Sequence, residues 1–200
     1  MVELSALRES PLAHLQNELE APEHVRVQLV ERPFRTMVSI RVEPGGPAYD
    51  RISRVLGAAL PLGCGDTATG DGHTALWLGP DEWLVVAQEA APAHEPLVGA
   101  LIAALGTERG AVVDVSANRT TLELSGEQAR AVLEKGCPVD LHPRAFTPGR
   151  AVTTVVGPIP VVLWQVEPTR YRLFPRSSFA DYLARWLLDA MSEYDGPAVV

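Results

Sequence analysis

Two stretches of this 200-residue chain echo one another, and that echo restricts the fold more tightly than any composition figure. LWLGPDEWLVV (Leu76–Val86) resembles LWQVEPTRYRLF (Leu163–Phe174), with one extra residue in the second turn. Each sets two apolar runs about a turn, such as Gly79-Pro80-Asp81, which is the pattern of a β-hairpin. Upstream, TMVSIRV…AYDRISRVLGAALPL resembles TTLELSGEQARAVLEKGCPV, a strand followed by a helix. The repeated unit is strand, helix, hairpin, helix, which is the β-α-β-β-α-β plan of a split βαβ used twice. The expected fold is therefore α+β: two fused ferredoxin-like halves, 23–115 and 116–194, in one domain over 23–194.

Local signals place the elements. Val25–Val30 and Thr36–Val42 read as strands joined around Pro33. Pro47 suits a first helical turn, and Ile52, Val55, Leu56 and Ala59 share one stripe of a helix over Ala48–Leu60. Pro61–Gly72 is a long polar turn region. Glu95–Leu105 reads as a helix with Gly106 at its C-cap. Ala111–Val115 and Arg119–Leu124 read as strands. Ser125 and Gln128 have capping-box spacing before a helix that runs to Lys135. Strands follow at Ala151–Val156, Ile159–Gln165 and Tyr171–Phe174. A last helix starts near Ser178. Phe179, Tyr182, Leu183, Trp186, Leu187, Ala190 and Met191 form its apolar face, on which Trp186 is expected to be largely buried.

The segments outside the two halves are an N-terminal arm, 1–22, and a tail, 195–200, expected to be flexible. The arm carries Leu4, Leu7, Leu12, Leu15 and Leu19, too many apolar residues for an idle solvated tail. They need a surface to cover. Because neither half requires the arm to complete its sheet, Leu4, Leu7 and Leu12 are candidate contacts for a partner.

Composition narrows the function classes. The residues are 46% hydrophobic and 21% charged, enough to bury a core. A net charge of −8 argues against nucleic acid and anionic membrane surfaces. The longest apolar stretch, Pro96–Gly106, falls well short of the roughly 20 residues of a membrane span. No signal-peptide core is apparent. Cys64 and Cys137 form no CxxC pair and suit two small buried thiols in a reducing compartment. A cytoplasmic protein is expected.

No constellation announces catalysis. GCGDTATGDG (Gly63–Gly72) lacks the GxGxxG spacing and ends in no P-loop Lys, so turn-forming glycines are the plainer reading. The five histidines have no i,i+4 pair and no cysteine at ligand spacing. No GxSxG marks a nucleophile. Catalytic, cofactor-binding and metal-binding residues are therefore all expected to be absent.

Two polar segments stand out. Asp114-Val-Ser116-Ala-Asn118-Arg119 lies between apolar strands, where Asp, Ser and Asn make turns through their own side chains. Asn118 and Arg119 could instead present donors to a partner. In Cys137–Gly149, three prolines stiffen a loop that carries Asp140, His142 and Arg144. It is either a bland connection or a rigid contact surface.

VDVSANRTTLELSGEQARAVLEKGCPVDLHPRAFTPG (Val113–Gly149) resembles the sarcosine oxidase gamma subunit family. So do SPLAHL (Ser10–Leu15), WLGPDEWLV (Trp77–Val85) and SSFADYLARWLLDA (Ser177–Ala190). The resemblance implies a heterotetramer that demethylates sarcosine, with alpha, beta and delta subunits as partners and alpha in direct contact. It implies that FAD, FMN, NAD, tetrahydrofolate and zinc reside on those other subunits. The family is similar to the folate-binding part of glycine-cleavage aminomethyltransferases, in keeping with the duplicated plan. An independent folate-binding or one-carbon-transfer domain is one alternative. A gamma-like subunit of a complex that oxidises another N-methyl amine is a second.

Overall fold

The computed structural model describes residues 8–19, 26–90 and 96–194, with the backbone alone at positions 89 and 90. The chain divides into two compact units. A continuous unit spans 34–119, and a split unit joins 1–33 to 120–200. Up to residue 119 the elements are α1 (Gln16–Leu19), β1 (Gln28–Glu31), β2 (Arg35–Val42), α2 (Pro47–Leu56), β3 (Thr67–Thr69), β4 (His73–Gly79), β5 (Glu82–Ala90), α3 (Leu97–Leu105) and β6 (Gly110–Asp114). Then come β7 (Leu122–Ser125), α4 (Ala129–Glu134), β8 (Ala151–Val156), β9 (Ile159–Glu167), β10 (Arg170–Pro175) and α5 (Ala180–Met191).

The continuous unit is an antiparallel five-stranded sheet in the order β3-β4-β5-β2-β6. Pro47 opens α2, and Gly57 closes it in the left-handed conformation, φ 69°. Asp71 N–H then donates to the orphan Leu56 carbonyl at 3.0 Å. The approach there is so close that a Cβ on Gly70 would lie 1.9 Å from that oxygen. Ile52 and Leu56 of α2 and Leu101 of α3 bury against Val38, Ile40, Trp83 and Val85 of the sheet. Arg51 of α2 donates to the Ala104 and Leu105 carbonyls, at 2.7 and 3.0 Å, and so caps the end of α3. Trp83 is fully buried, and its Nε1 donates to the Pro61 carbonyl at 2.7 Å.

The split unit has the sheet order β1-β7-β10-β9-β8, also antiparallel. Leu122 and Leu124 of β7, Leu163 of β9, and Tyr171 and Leu173 of β10 pack with Leu183, Ala184 and Leu187 of α5. The position that β6 fills in the continuous unit, beside the unit's first strand, is filled here by β1 from the start of the chain.

Several expectations change on this account. The two halves do not divide at 115/116. β1 is paired to β7 and belongs with the later residues, so the first two strands are not partners. Nor is the arm independent of the fold: Leu12, Leu15 and Leu19 are buried in the split unit's core. Ser10 Oγ donates to Glu31 at 2.6 Å and fastens the arm to β1. Leu4, Leu7 and the tail lie outside the described residues. The capping box is not formed; β7 runs through Ser125, and Gln128 holds the N-cap position without a side-chain cap. Phe179, at the N-cap of α5, and Tyr182 are exposed, and Trp186 is only partly buried, over Gly136 and Gly157. That face is wider in sequence than the sheet beneath it can cover.

The echo is real but shifted. In the first hairpin Trp77 pairs with Trp83, and Gly79 with Glu82. In the second, Gln165 pairs with Tyr171, and Glu167 with Arg170. The two turns are equally long, and Leu78 and Val166 are matching bulged residues. Trp77 therefore corresponds to Gln165, not to Trp164. A one-residue slip flips a strand's faces. Trp77 packs on its unit's helix-side core, whereas Leu163 takes that side in the split unit.

Candidate partner interface and a buried ion-pair cluster

The segment 114–119 is a self-satisfied turn. Ser116 N–H and Oγ both donate to Asp114 Oδ1, at 2.9 and 2.5 Å. The Met37 N–H donates to Ser116 Oγ at 3.0 Å, and Asn118 N–H donates to the Val115 carbonyl at 3.0 Å. Asp114 and Ser116 are thus committed to the fold, whereas the Asn118 side chain is exposed and Arg119 is half-buried.

The loop 137–149 is rigid for a readable reason. Cys137, Leu141 and Phe146 are buried anchors at intervals of four and five residues. Between them Asp140 Oδ1 accepts the His142 N–H at 3.0 Å, and His142 Nδ1 accepts the Arg144 N–H at 3.2 Å. The acceptor role of Nδ1 places the proton of a neutral ring on Nε2. Asp140, His142 and Arg144 are all exposed, on a loop whose shape is set before any contact forms. The structure brings these three together within one loop. Leu12 is not available, because the core holds it.

A third cluster was not foreseen. Glu123 sits mid-strand in β7 and is 5% exposed. Arg172 Nε donates to its Oε2 at 2.9 Å, and Arg32 donates through Nε and Nη2 to its Oε1 at 3.2 and 3.0 Å. The Arg172 guanidinium lies 5.3 Å from the Trp164 ring centroid, a cation–π contact. Burial, the largest single influence, pushes the Glu123 carboxyl up. The hydrogen bonds and charges of Arg172 and Arg32 together outweigh it and hold the carboxyl below its usual range. Such a carboxylate is a fixed acceptor that ties β1, β7 and β10 together. Among the described residues, no group of three or more His, Cys, Asp or Glu is placed to hold a metal ion.

Residues 41–193 match the sarcosine oxidase, gamma subunit family. The chain is 42% identical over 201 residues to the sarcosine oxidase subunit gamma of Arthrobacter sp, spanning 100% of this chain and 97% of that protein. It is 43% identical over 204 residues to that of Corynebacterium sp. (strain U-96), again spanning 100% and 97%. This chain belongs to the sarcosine oxidase gamma subunit family. Among solved structures it is similar to a chain of the heterotetrameric sarcosine oxidase from Corynebacterium sp. U-96 in complex with pyrrole 2-carboxylate. That match has a TM-score of 0.89 and 43% identity, covering 97% of this chain and 100% of that one. The glycine cleavage system aminomethyltransferase T from Bartonella henselae shares the fold, with a TM-score of 0.68 at 16% identity. There 91% of this chain lies on 57% of the other.

Within this gamma subunit family member, one sequence signal could have exposed the Glu123 cluster. Leu122-Glu123-Leu124 and Tyr171-Arg172-Leu173 each set a charge between two apolar strand residues, and the two charges are opposite. A charge in a strand interior needs a partner. Arg32, beyond the end of β1, carried no such signal. Of the described residues, no helix is long and apolar enough to cross a membrane.

Proposed function

We propose that this chain is the gamma subunit of a heterotetrameric sarcosine oxidase, and that its own work is to bind and hold larger subunits rather than to carry the reaction. The observation that supports this most strongly is identity of 42 and 43% to gamma subunits along essentially the whole of both chains. In this reading the complex demethylates sarcosine oxidatively and passes the one-carbon unit to tetrahydrofolate. FAD, FMN, NAD and zinc are carried by the alpha, beta and delta subunits, and alpha is the direct neighbour. The preformed loop that carries Asp140, His142 and Arg144 is one contact surface, and the Asn118–Arg119 corner is a second. A rigid loop loses little freedom on docking, which favours both. Each unit follows a ferredoxin-like plan with one added edge strand, derived by duplication. Cys64 is exposed rather than buried and forms no disulfide, which suits a reducing, cytoplasmic setting.

Co-purification tests the reading. The tagged full chain, expressed with its neighbouring subunits, should retain them in fixed stoichiometry, and the complex should oxidise sarcosine. A chain that recovers no other subunit, or a complex equally active without it, would sink the proposal. Charge reversal at Arg144 should weaken recovery while leaving the melting temperature of the free chain unchanged. Full recovery would remove the loop from the interface.

A further inference from the structure

The two sheets present four edge strands, and three are guarded in recognised ways. β3 has only three residues, between Asp66 and Asp71. β6 follows Arg109 and ends on Asp114, and its Gly110 is pinned so closely to β2 that a Cβ would lie 2.3 Å from the Arg41 carbonyl. β1 has four residues, among Arg26, Glu31 and Arg32.

β8 is different. It has six residues, Ala-Val-Thr-Thr-Val-Val, five of them β-branched. Its register against β9 is unbroken from Ala151↔Trp164 to Val156↔Ile159. It contains no charge, proline or bulge. Among the described residues it pairs with β9 alone. Residues 151–166 form an uncharged run of 16 in a chain that is 21% charged. Thr153 and Val155 are exposed on one face of the strand, Val155 to 36%, while Val152 and Thr154 lie half-buried on the other. An uncharged, unguarded edge is a hazard to a free protein.

We propose that β8 is a docking edge, to which an extended, uncharged segment of a larger partner subunit adds as a sixth strand of the split unit's sheet. Its chemistry selects that occupant. The unpaired main-chain groups of an edge are matched by another strand, not by a helix or a small molecule. The uncharged hairpin offers no counter-charge, so a charge carried in by the partner would be stranded. Alternating residues of the added strand would meet Thr153 and Val155 on one face and Val152 and Thr154 on the other. Six paired residues span about 20 Å, an ordinary strand length. The choice of a partner subunit over a second copy of this chain rests on the gamma-subunit reading above.

The test is a comparison of two edges in the full chain. The double substitution Thr153→Lys with Val155→Lys puts guarding charges on exposed positions of β8. Val113→Lys does the same on β6, where Val113 is 51% exposed. Neither should disturb the melting temperature. The β8 variant should lose partner-subunit recovery by at least about tenfold, while Val113→Lys keeps it. Amides of 151–156 in the unsubstituted chain should exchange more slowly in the assembled complex than in the free chain. If the unsubstituted chain itself recovers no partner, the subunit reading has failed. If it does, but the β8 variant recovers as much and the β8 amides exchange alike in both states, strand addition is wrong and the subunit reading stands. A free-chain dimer dissolved by the β8 lysines, with partner recovery intact, would assign the edge to a second copy and overturn the proposal.

Discussion

The two units solve one topological problem from opposite ends of the chain. Each needs a fifth strand, beside β2 in one unit and beside β7 in the other. The continuous unit takes it from its own end, β6, and the split unit takes it from the chain's beginning, β1. Rows drawn across the sheets make the contrast sharper. In the continuous unit one row reads Val113, Ser39, Leu84, Leu76, Thr67. The matching row of the split unit reads Val30, Glu123, Arg172, Trp164, Ala151. A small hydroxyl and two leucines stand where the other sheet has a carboxylate, a guanidinium and an indole. The same backbone carries either set because the row lies on the face away from the helices, where pairing rather than helix packing decides what fits. The charged row also gives Arg32, from just beyond β1, something to hold. The borrowed strand is thereby fixed to its unit by an ion pair as well as by its ladder.

Breaking the comparison at its centre should have the largest effect. Trp83 and Tyr171 are matching, fully buried residues. Trp83→Ala should cost about 3–5 kcal/mol through lost burial, a cavity and an orphaned Pro61 carbonyl. Chemical denaturation would measure it, and a cost below about 1 kcal/mol would mean that this core is not continuous.

The borrowed start of the chain comes next. Leu15→Ala should cost about 3 kcal/mol if the arm is core, as its 1% exposure indicates. A variant as stable as its parent would return the arm to the role of an assembly device.

The charged row should be comparable or slightly weaker. Glu123→Ala leaves two guanidinium groups without their carboxylate, one of them largely buried, and should cost about 3 kcal/mol. Ser39→Ala, at the matching place, should stay within about 0.5 kcal/mol. Equal effects at the two positions would erase the distinction.

Acid should reproduce the Glu123 effect in part. The folded-state pKa of Glu123 lies below its ordinary value, so its contribution is present above the unfolded value of about 4.3 and fades as pH falls through the lower folded one. The melting temperature of the parent should therefore drop more steeply than that of Glu123→Gln below pH of about 4. Parallel curves would show that the carboxylate carries no such linkage.

The smallest effect belongs to the surface. His14 and Arg185 both bond Asp181, chiefly His14, and hold that exposed carboxyl below its usual range. Asp181→Asn should barely move the melting curve at physiological salt, because exposed pairs are screened.

Much of this molecule was legible in the chain. Pro47 opens α2, the Gly79-Pro80-Asp81 turn makes the first hairpin, and Gly106 stops α3, because each acts through its own backbone geometry, whereas Gly57 ends α2 short of the Leu60 that the apolar stripe suggested. The polar loop could be read in the same way, since its prolines stiffen the chain and its Asp140 and His142 side chains accept backbone N–H groups two residues on. The Leu-Trp echo, in contrast, invited an alignment one residue out of register. Side-chain identity repeats by chance, whereas face is fixed by the ladder.

Local sequence therefore determined most of the elements and their order, though not the short β3 inside what reads as a polar turn region, because periodicity and turn chemistry act over a few residues. Tertiary structure alone decided three things. It set β1 beside β7 rather than β2, drew Leu12, Leu15 and Leu19 into the split unit's core, and closed Arg32 and Arg172 on Glu123. All three join residues that are dozens of positions apart or more. No local preference encodes such a pairing; it exists only where burial and hydrogen bonding outweigh the entropy of closing so long a loop.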